Sequence, residues 1–153
     1  MLSHMYINTP LGKMVAAGDD SYIHSLKFCN HNNIETSMTP ALKILQHELD
    51  LYFNHKLTNF TSKLTPQGTD FQNKVWHALQ QVPYGSTTSY KNIADNINQP
   101  KSFRAVSNAN AANQILILIP CHRIIANSGN LCGFTAGIEK KKWLLKHEKQ
   151  YKN

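Results

Sequence analysis

The residues best equipped for chemistry are three in a row: the thiol of Cys121, the imidazole of His122 and the guanidinium of Arg123, directly after Pro120. A thiolate is the strongest nucleophile a side chain offers, and neighbouring cations favour it over the thiol. A free thiol titrates at about 8.5 and is mostly protonated at neutral pH. Either a base takes the proton or the surroundings stabilise the anion. Ahead of the triplet, Ile115–Ile119 is an unbroken aliphatic run. Such a run reads as a buried strand, and Pro120, having no N–H to pair, ends it. The thiol is then expected just past a strand end, facing a cleft. The plainer alternative is a packed cysteine beside two surface residues, since buried cysteine is common.

The elements that must position these groups follow from periodicity. Tyr6–Phe28 alternates apolar and polar residues around turn signals at Thr9–Gly12 and Gly18–Ser21, which predicts antiparallel strands with one wet face. Thr39–Phe53 carries Ala41, Leu42, Ile44, Leu45, Leu49, Leu51 and Tyr52 near helical spacing, with Pro40 suited to a first helical turn. Asn54–Gly68 is polar, contains Pro66 and Gly68, and reads as a linker or crossover.

From Thr69 the pattern turns helical. Thr69 or Asp70 caps a helix burying Phe71, Val75, Trp76 and Leu79, ended by Pro83 and Gly85. Ser89–Ile97 is a short helix with Tyr90, Ile93, Ala94 and Ile97 facing inward. After a break at Asn98–Lys101, Ser102 opens a third helix through Phe103, Val106 and Ala109 toward Asn113. A loop over Asn127–Gly137 precedes a last helix, Ile138–Lys149. The expected fold is α+β: a small sheet-plus-helix domain over residues 1–65, then a mainly helical domain over 66–153.

The 153 residues are 41% hydrophobic, enough for a real core, and carry 16 Lys and Arg against nine Asp and Glu, a net +7. That surplus suits a polyanionic partner, although Lys140–Lys142, Lys146, Lys149 and Lys152 could simply solvate a terminal helix. The three cysteines, Cys29, Cys121 and Cys132, are too few and too far apart for a disulfide framework or a zinc cluster. No apolar run approaches the roughly 20 residues of a membrane span, and Met1–Asp19 lacks a signal-peptide pattern. A cytosolic chain without a membrane partner is expected. His24, His47, His55 and His77 are scattered and read as ordinary surface or packed residues.

The two short helices around Pro100 have the shape of a helix-turn-helix, whose second helix usually meets DNA. That helix is rich in small residues, Ala105, Ser107, Ala109, Ala111 and Ala112, and has one long cation, Arg104. It could approach a backbone or a narrow groove closely but could read few base edges, so low sequence specificity is expected. Two helices packed through Ala-rich faces would look the same.

Four blocks in order, "TDFQNKVWHALQQVPYGSTTSYKNIA", "RAVSNANAAN", "IPCHRII" and "GIEKKKWLLKHE", give the chain from about Thr69 to Glu148 a specific pattern. In them the sequence resembles the O6-alkylguanine-DNA alkyltransferases, which repair DNA by transferring an alkyl group from guanine to a cysteine of their own. "NTPLGKMVAA" matches more loosely the family's ribonuclease H-like amino-terminal domain.

The resemblance implies that Cys121 is the alkyl acceptor, that His122 works through a bound water, and that Glu148 orients His122. It further implies that Tyr90 donates to the departing base, Asn113 braces the active-site turn, and Arg104 is a finger filling the gap left by a flipped nucleotide. Ser89, Tyr90, Ala105 and Ser107 would contact DNA, while Phe134, Thr135 and Ile124 would line the pocket. The implied partner is double-stranded DNA, bound through the minor groove by a monomer that acts once per molecule, on O6-alkylguanine and on O4-alkylthymine. No cofactor and no metal are expected, because Cys29 lacks a nearby Cys-His set. Phe134 stands where many relatives have Tyr, and Ala136 where Gly is usual; both would alter tolerance for bulky adducts. Cys132 is expected to be a spectator. Two other readings remain: a lesion-binding protein of the alkyltransferase-like kind that transfers nothing, and a thiol hydrolase that turns over.

Overall fold

The computed structural model describes residues 2–126 and 133–151. Two compact units emerge: one made of the residues up to Gln67 with Gln114–Leu116, the other of Gly68–Asn113 with the residues from Ile117 onward.

The first unit begins with a meander of β1 (Ser3–Thr9), β2 (Gly12–Gly18) and β3 (Ile23–Phe28), paired antiparallel in the order β1-β2-β3. The predicted alternation sets the buried face, with Met5, Ile7, Met14, Ala16, Ile23 and Leu26 inside. Gly12, at φ 128°, closes the first turn in a conformation that other residues resist. In the second turn, the Asp19 carboxylate accepts from the backbone N–H groups of Ser21 (2.8 Å) and Tyr22 (2.7 Å).

Helix α1 (Pro40–Phe53) starts where expected: the Thr39 hydroxyl accepts from Leu42 N–H, and Pro40 occupies the first turn. It buries Ala41, Leu42, Leu45, Leu49 and Tyr52, but Ile44 is exposed. The polar stretch after it is anchored. Buried Glu48 accepts four hydrogen bonds of 2.7–2.9 Å from the N–H and hydroxyl groups of Thr61 and Ser62, and Leu64 bridges Ile23 in parallel. Those donors outweigh the cost of burying the carboxyl and hold it below its ordinary titration range.

In the second unit, α2 (Asp70–Gln80) opens with a reciprocal capping box between Thr69 and Gln72. Gly68 sits so close to Trp76 that a Cβ would lie 2.5 Å from the indole. Helices α3 (Tyr90–Asn96) and α4 (Phe103–Ala111) follow, the first capped by Ser89 and the turn between them using Asn98 at φ 60°. The buried Trp76 indole N–H donates to Ala109 O at 2.8 Å and locks α2 to α4. α5 (Ile138–Tyr151) completes the unit.

One expectation changes here. Ile115–Ile119 is buried, but only Ile115 pairs, in a single bridge to Leu26; Leu116–Leu118 forms a turn with Ile117 at φ 72°. Burial requires apolar residues, whereas a strand also requires a pairing partner, and only Ile115 has one. Ser102 opens α4 from the N-cap position as expected, although its hydroxyl donates to Gln99 O and not to the helix. Phe103 is 53% exposed, and α4 ends at Ala111.

Candidate active site

The turn that holds the thiol is built from the backbone outward. Pro120, at φ −81° and ψ 63°, has the dihedrals of an inverse γ-turn, and Cys121 N–H closes it on Ile119 O at 2.8 Å. Cys121–Arg123 then forms one turn of 3-10 helix, not the extended chain expected past a strand end. Asn113 binds this turn twice, its amide Nδ2 donating to Ile119 O (2.8 Å) and to Cys121 Sγ (3.2 Å). The brace implied for Asn113 therefore reaches the sulfur itself.

Cys121 is 2% exposed, and burial pushes its thiol up to about 11, against the hydrogen bond from Asn113 and the charge of Lys141, which both favour the anion. The expectation that neighbouring cations make a resting thiolate is therefore corrected. Arg123 is turned away from the sulfur: Nε donates to Glu148 Oε1 (2.8 Å), Nη2 to Oε2 (3.0 Å) and Nη1 to Val82 O (2.8 Å). The cation that does act on the thiol is Lys141, 0% exposed although its neighbours are solvated. Reading Lys140–Lys142 as a run of like charges missed it. The helical register could have found it, because Lys141 lies seven residues, almost two full turns, before Glu148 and shares its face of α5.

His122 is fully buried and bonds to Glu148 Oε2 through Nε2 at 2.7 Å, the pairing the sequence implied across 25 intervening residues. Its Nδ1 makes no hydrogen bond to a described residue. Burial works against ionisation of Glu148, but His122 and then Arg123 outweigh it, and the carboxyl is held well below the ordinary carboxylate range. One short turn thus carries two hydrogen-bonded sets, Asn113 with Cys121, and His122 and Arg123 with Glu148.

The remaining candidates lie on the adjoining segments. Ile124 is buried and bridges Thr88 in parallel, tying the turn that holds the thiol to the residue before Ser89. Ser89 caps α3 through Asn92 N–H at 3.1 Å. Tyr90 opens that helix half-buried, its ring edge-on to Phe103 at 5.2 Å. Arg104 and Ala105 are exposed on α4, and Ser107 is half-buried. Thr135 donates from its hydroxyl to Ala111 O at 2.9 Å, at the end of α4, and Phe134 beside it is half-buried. Cys132 lies outside the described residues. Among the described residues no three His, Cys, Asp or Glu side chains come together as a metal-binding group, and no helix is long and apolar enough to cross a membrane.

The chain that carries this buried thiol and carboxylate-bound imidazole is similar to known proteins over most of its length. Residues 70–150 match the family described as 6-O-methylguanine DNA methyltransferase, DNA binding domain, and residues 2–66 match its ribonuclease-like domain. The chain belongs to the 6-O-methylguanine DNA methyltransferase family. It is 40% identical over 148 residues to the methylated-DNA--protein-cysteine methyltransferase of Methanosarcina barkeri, covering 93% of this chain and 94% of that one. To the protein of the same name from Mycobacterium tuberculosis it is 41% identical over 154 residues, covering 97% and 93%. The crystal structure of the Mycobacterium tuberculosis O6-methylguanine methyltransferase superposes with a TM-score of 0.90 at 39% identity, covering 100% of this chain and 96% of that one. A Mycobacterium tuberculosis structure in complex with DNA gives 0.89 at 40% identity, covering 97% and 93%.

Proposed function

We propose that this protein repairs DNA by direct reversal, moving an alkyl group from O6 of guanine to Cys121 in one irreversible event. The observation that carries the reading is the buried Asn113–Cys121 thiol set beside the His122–Glu148 pair, in a chain of this family. O6 holds the alkyl carbon firmly, and a neutral thiol attacks it poorly, so deprotonation must accompany attack. The thiol proton passes to Nδ1 of His122 through a water. Sγ then forms a bond to the alkyl carbon as the carbon–O6 bond breaks, and the electron pair goes to guanine. Tyr90, its phenol still protonated at neutral pH, stabilises that departing anion by donating to the base. The guanine anion then takes up a proton as the histidinium releases one, and the products are S-alkylcysteine and guanine. Nothing at the site returns the sulfur to a thiol, so each molecule acts once, without a cofactor.

The α3–α4 pair serves as the helix-turn-helix. A monomer lays α4 in the minor groove, where Ala105 and Ser107 allow close approach with little base readout. Arg104 replaces the extruded nucleotide, while Ser89 and Tyr90 contact the strand. Phe134 walls the pocket, backbone groups at Cys121, Ile124 and Thr135 read the base edge, and O4-alkylthymine is accepted by the same chemistry.

Intact mass after incubation with a duplex containing O6-methylguanine tests this. One added methyl group, mapped to Cys121 and absent from Cys121→Ala, is expected. An unchanged mass despite tight binding would identify a lesion-binding protein, and repeated turnover a hydrolase; either result would overturn the proposal.

A further inference from the structure

Three donors converge on the Glu148 carboxylate: His122 Nε2, and Nε and Nη2 of Arg123. An imidazole can take a thiol's proton only on a nitrogen with a free lone pair. A carboxylate has lone pairs alone, so while Glu148 is ionised the His122 nitrogen facing it carries the hydrogen, and the lone pair lies on Nδ1. That is the nitrogen without a hydrogen bond to any described residue. Were Glu148 protonated, its O–H would donate to Nε2, the imidazole hydrogen would move to Nδ1, and the base would be blocked.

The form of His122 that can accept a proton is the neutral one, which gives Glu148 a hydrogen bond but no charge, so in that form the charge facing Glu148 is that of Arg123. Glu148 is 1% exposed, and burial alone favours the neutral acid. Arg123 supplies the opposing charge. Its guanidinium forks onto both carboxylate oxygens and is itself fixed by Val82 O and by the Tyr84 ring 5.7 Å away. Among the described residues, Glu148 from α5 pairs with the imidazole and with Arg123 from the same turn, and Cys121 precedes His122 in the chain, with Lys141 acting on the sulfur.

We infer that Arg123 is a positioning residue for the proton acceptor: through its charge against Glu148 it fixes His122 in the Nε2–H form, with the accepting lone pair on Nδ1. The inference rests on reading Cys121 and His122 as nucleophile and base, but one of its tests does not depend on alkyl transfer. Nitrogen-15 NMR of histidine-labelled protein, without DNA, reports the tautomer directly.

The wild type is expected to show Nε2–H at His122. In Arg123→Met the signal moves toward Nδ1–H, and transfer from a free alkylated guanine base slows by about 10- to 100-fold, the usual scale for an orienting partner. Arg123→Lys, which keeps the charge without the fork, restores the Nε2–H form and most of the rate. Nδ1–H in the wild type would overturn the inference whether or not any variant folds. So would an Arg123→Met protein that folds and keeps both the Nε2–H signal and the wild-type rate, or one that slows with no change of tautomer. A wild type that shows Nε2–H yet transfers no alkyl group would overturn the functional reading and leave the tautomer assignment standing.

Discussion

At the scale of single residues, burial keeps the Cys121 thiol protonated well above the ordinary range. Native Cys121 titrates at about 11 against an ordinary 9.0, so the folded state holds that proton more tightly than the unfolded chain. The resulting contribution to stability is complete below pH 9 and disappears as the pH climbs through 11. Urea denaturation between these limits is expected to show a falling stability that flattens in Cys121→Ala. The resemblance identified Cys121, His122, Asn113 and Glu148 because those residues sit in recognisable blocks. Arg123 and Lys141 escaped it for a physical reason. What a long cationic side chain does depends on where its tip ends, and sequence position does not record that. Arg123 ends on a carboxylate 25 residues away, and Lys141 is buried within a run that reads as surface.

At the scale of elements, periodicity and caps placed all three strands and all five helices closely, because Thr39, Thr69 and Ser89 each cap the helix they were expected to start. Ile115–Ile119 was misread as a strand because a buried turn and a buried strand demand the same apolar residues. Trp76 joins two of these elements, and Trp76→Phe removes its 2.8 Å bond to Ala109 O, leaving that carbonyl the longer bond from Ala112 N–H at 3.2 Å. A loss of about 0.5–1.5 kcal/mol in urea denaturation is expected. On α4, Arg104→Ala is expected to slow repair of a duplex by about 10- to 100-fold, since a few kcal/mol of unstacking then goes uncompensated. Transfer from the free base should stay near the wild-type rate. Rate measurements on both substrates check this, and equal losses on the two would remove the finger from the account.

At the scale of the whole molecule, the net charge of +7 acts over distances that no single contact spans. Binding to undamaged duplex, followed by fluorescence anisotropy, is expected to weaken about tenfold or more between about 50 and 200 mM salt, as condensed counterions cease to be released cheaply. Composition alone leads to that expectation. It could not foretell that Gln114–Leu116 would cluster with the amino-terminal unit, because a three-residue return leaves no mark on hydrophobic pattern. One carbonyl, Ile119 O, gathers both the Cys121 N–H and the Asn113 amide. The entropic cost of aiming the sulfur is therefore met when the chain folds, before any lesion arrives. DNA then governs how often a damaged base is delivered, and the aim of the sulfur is the same for every base that reaches it.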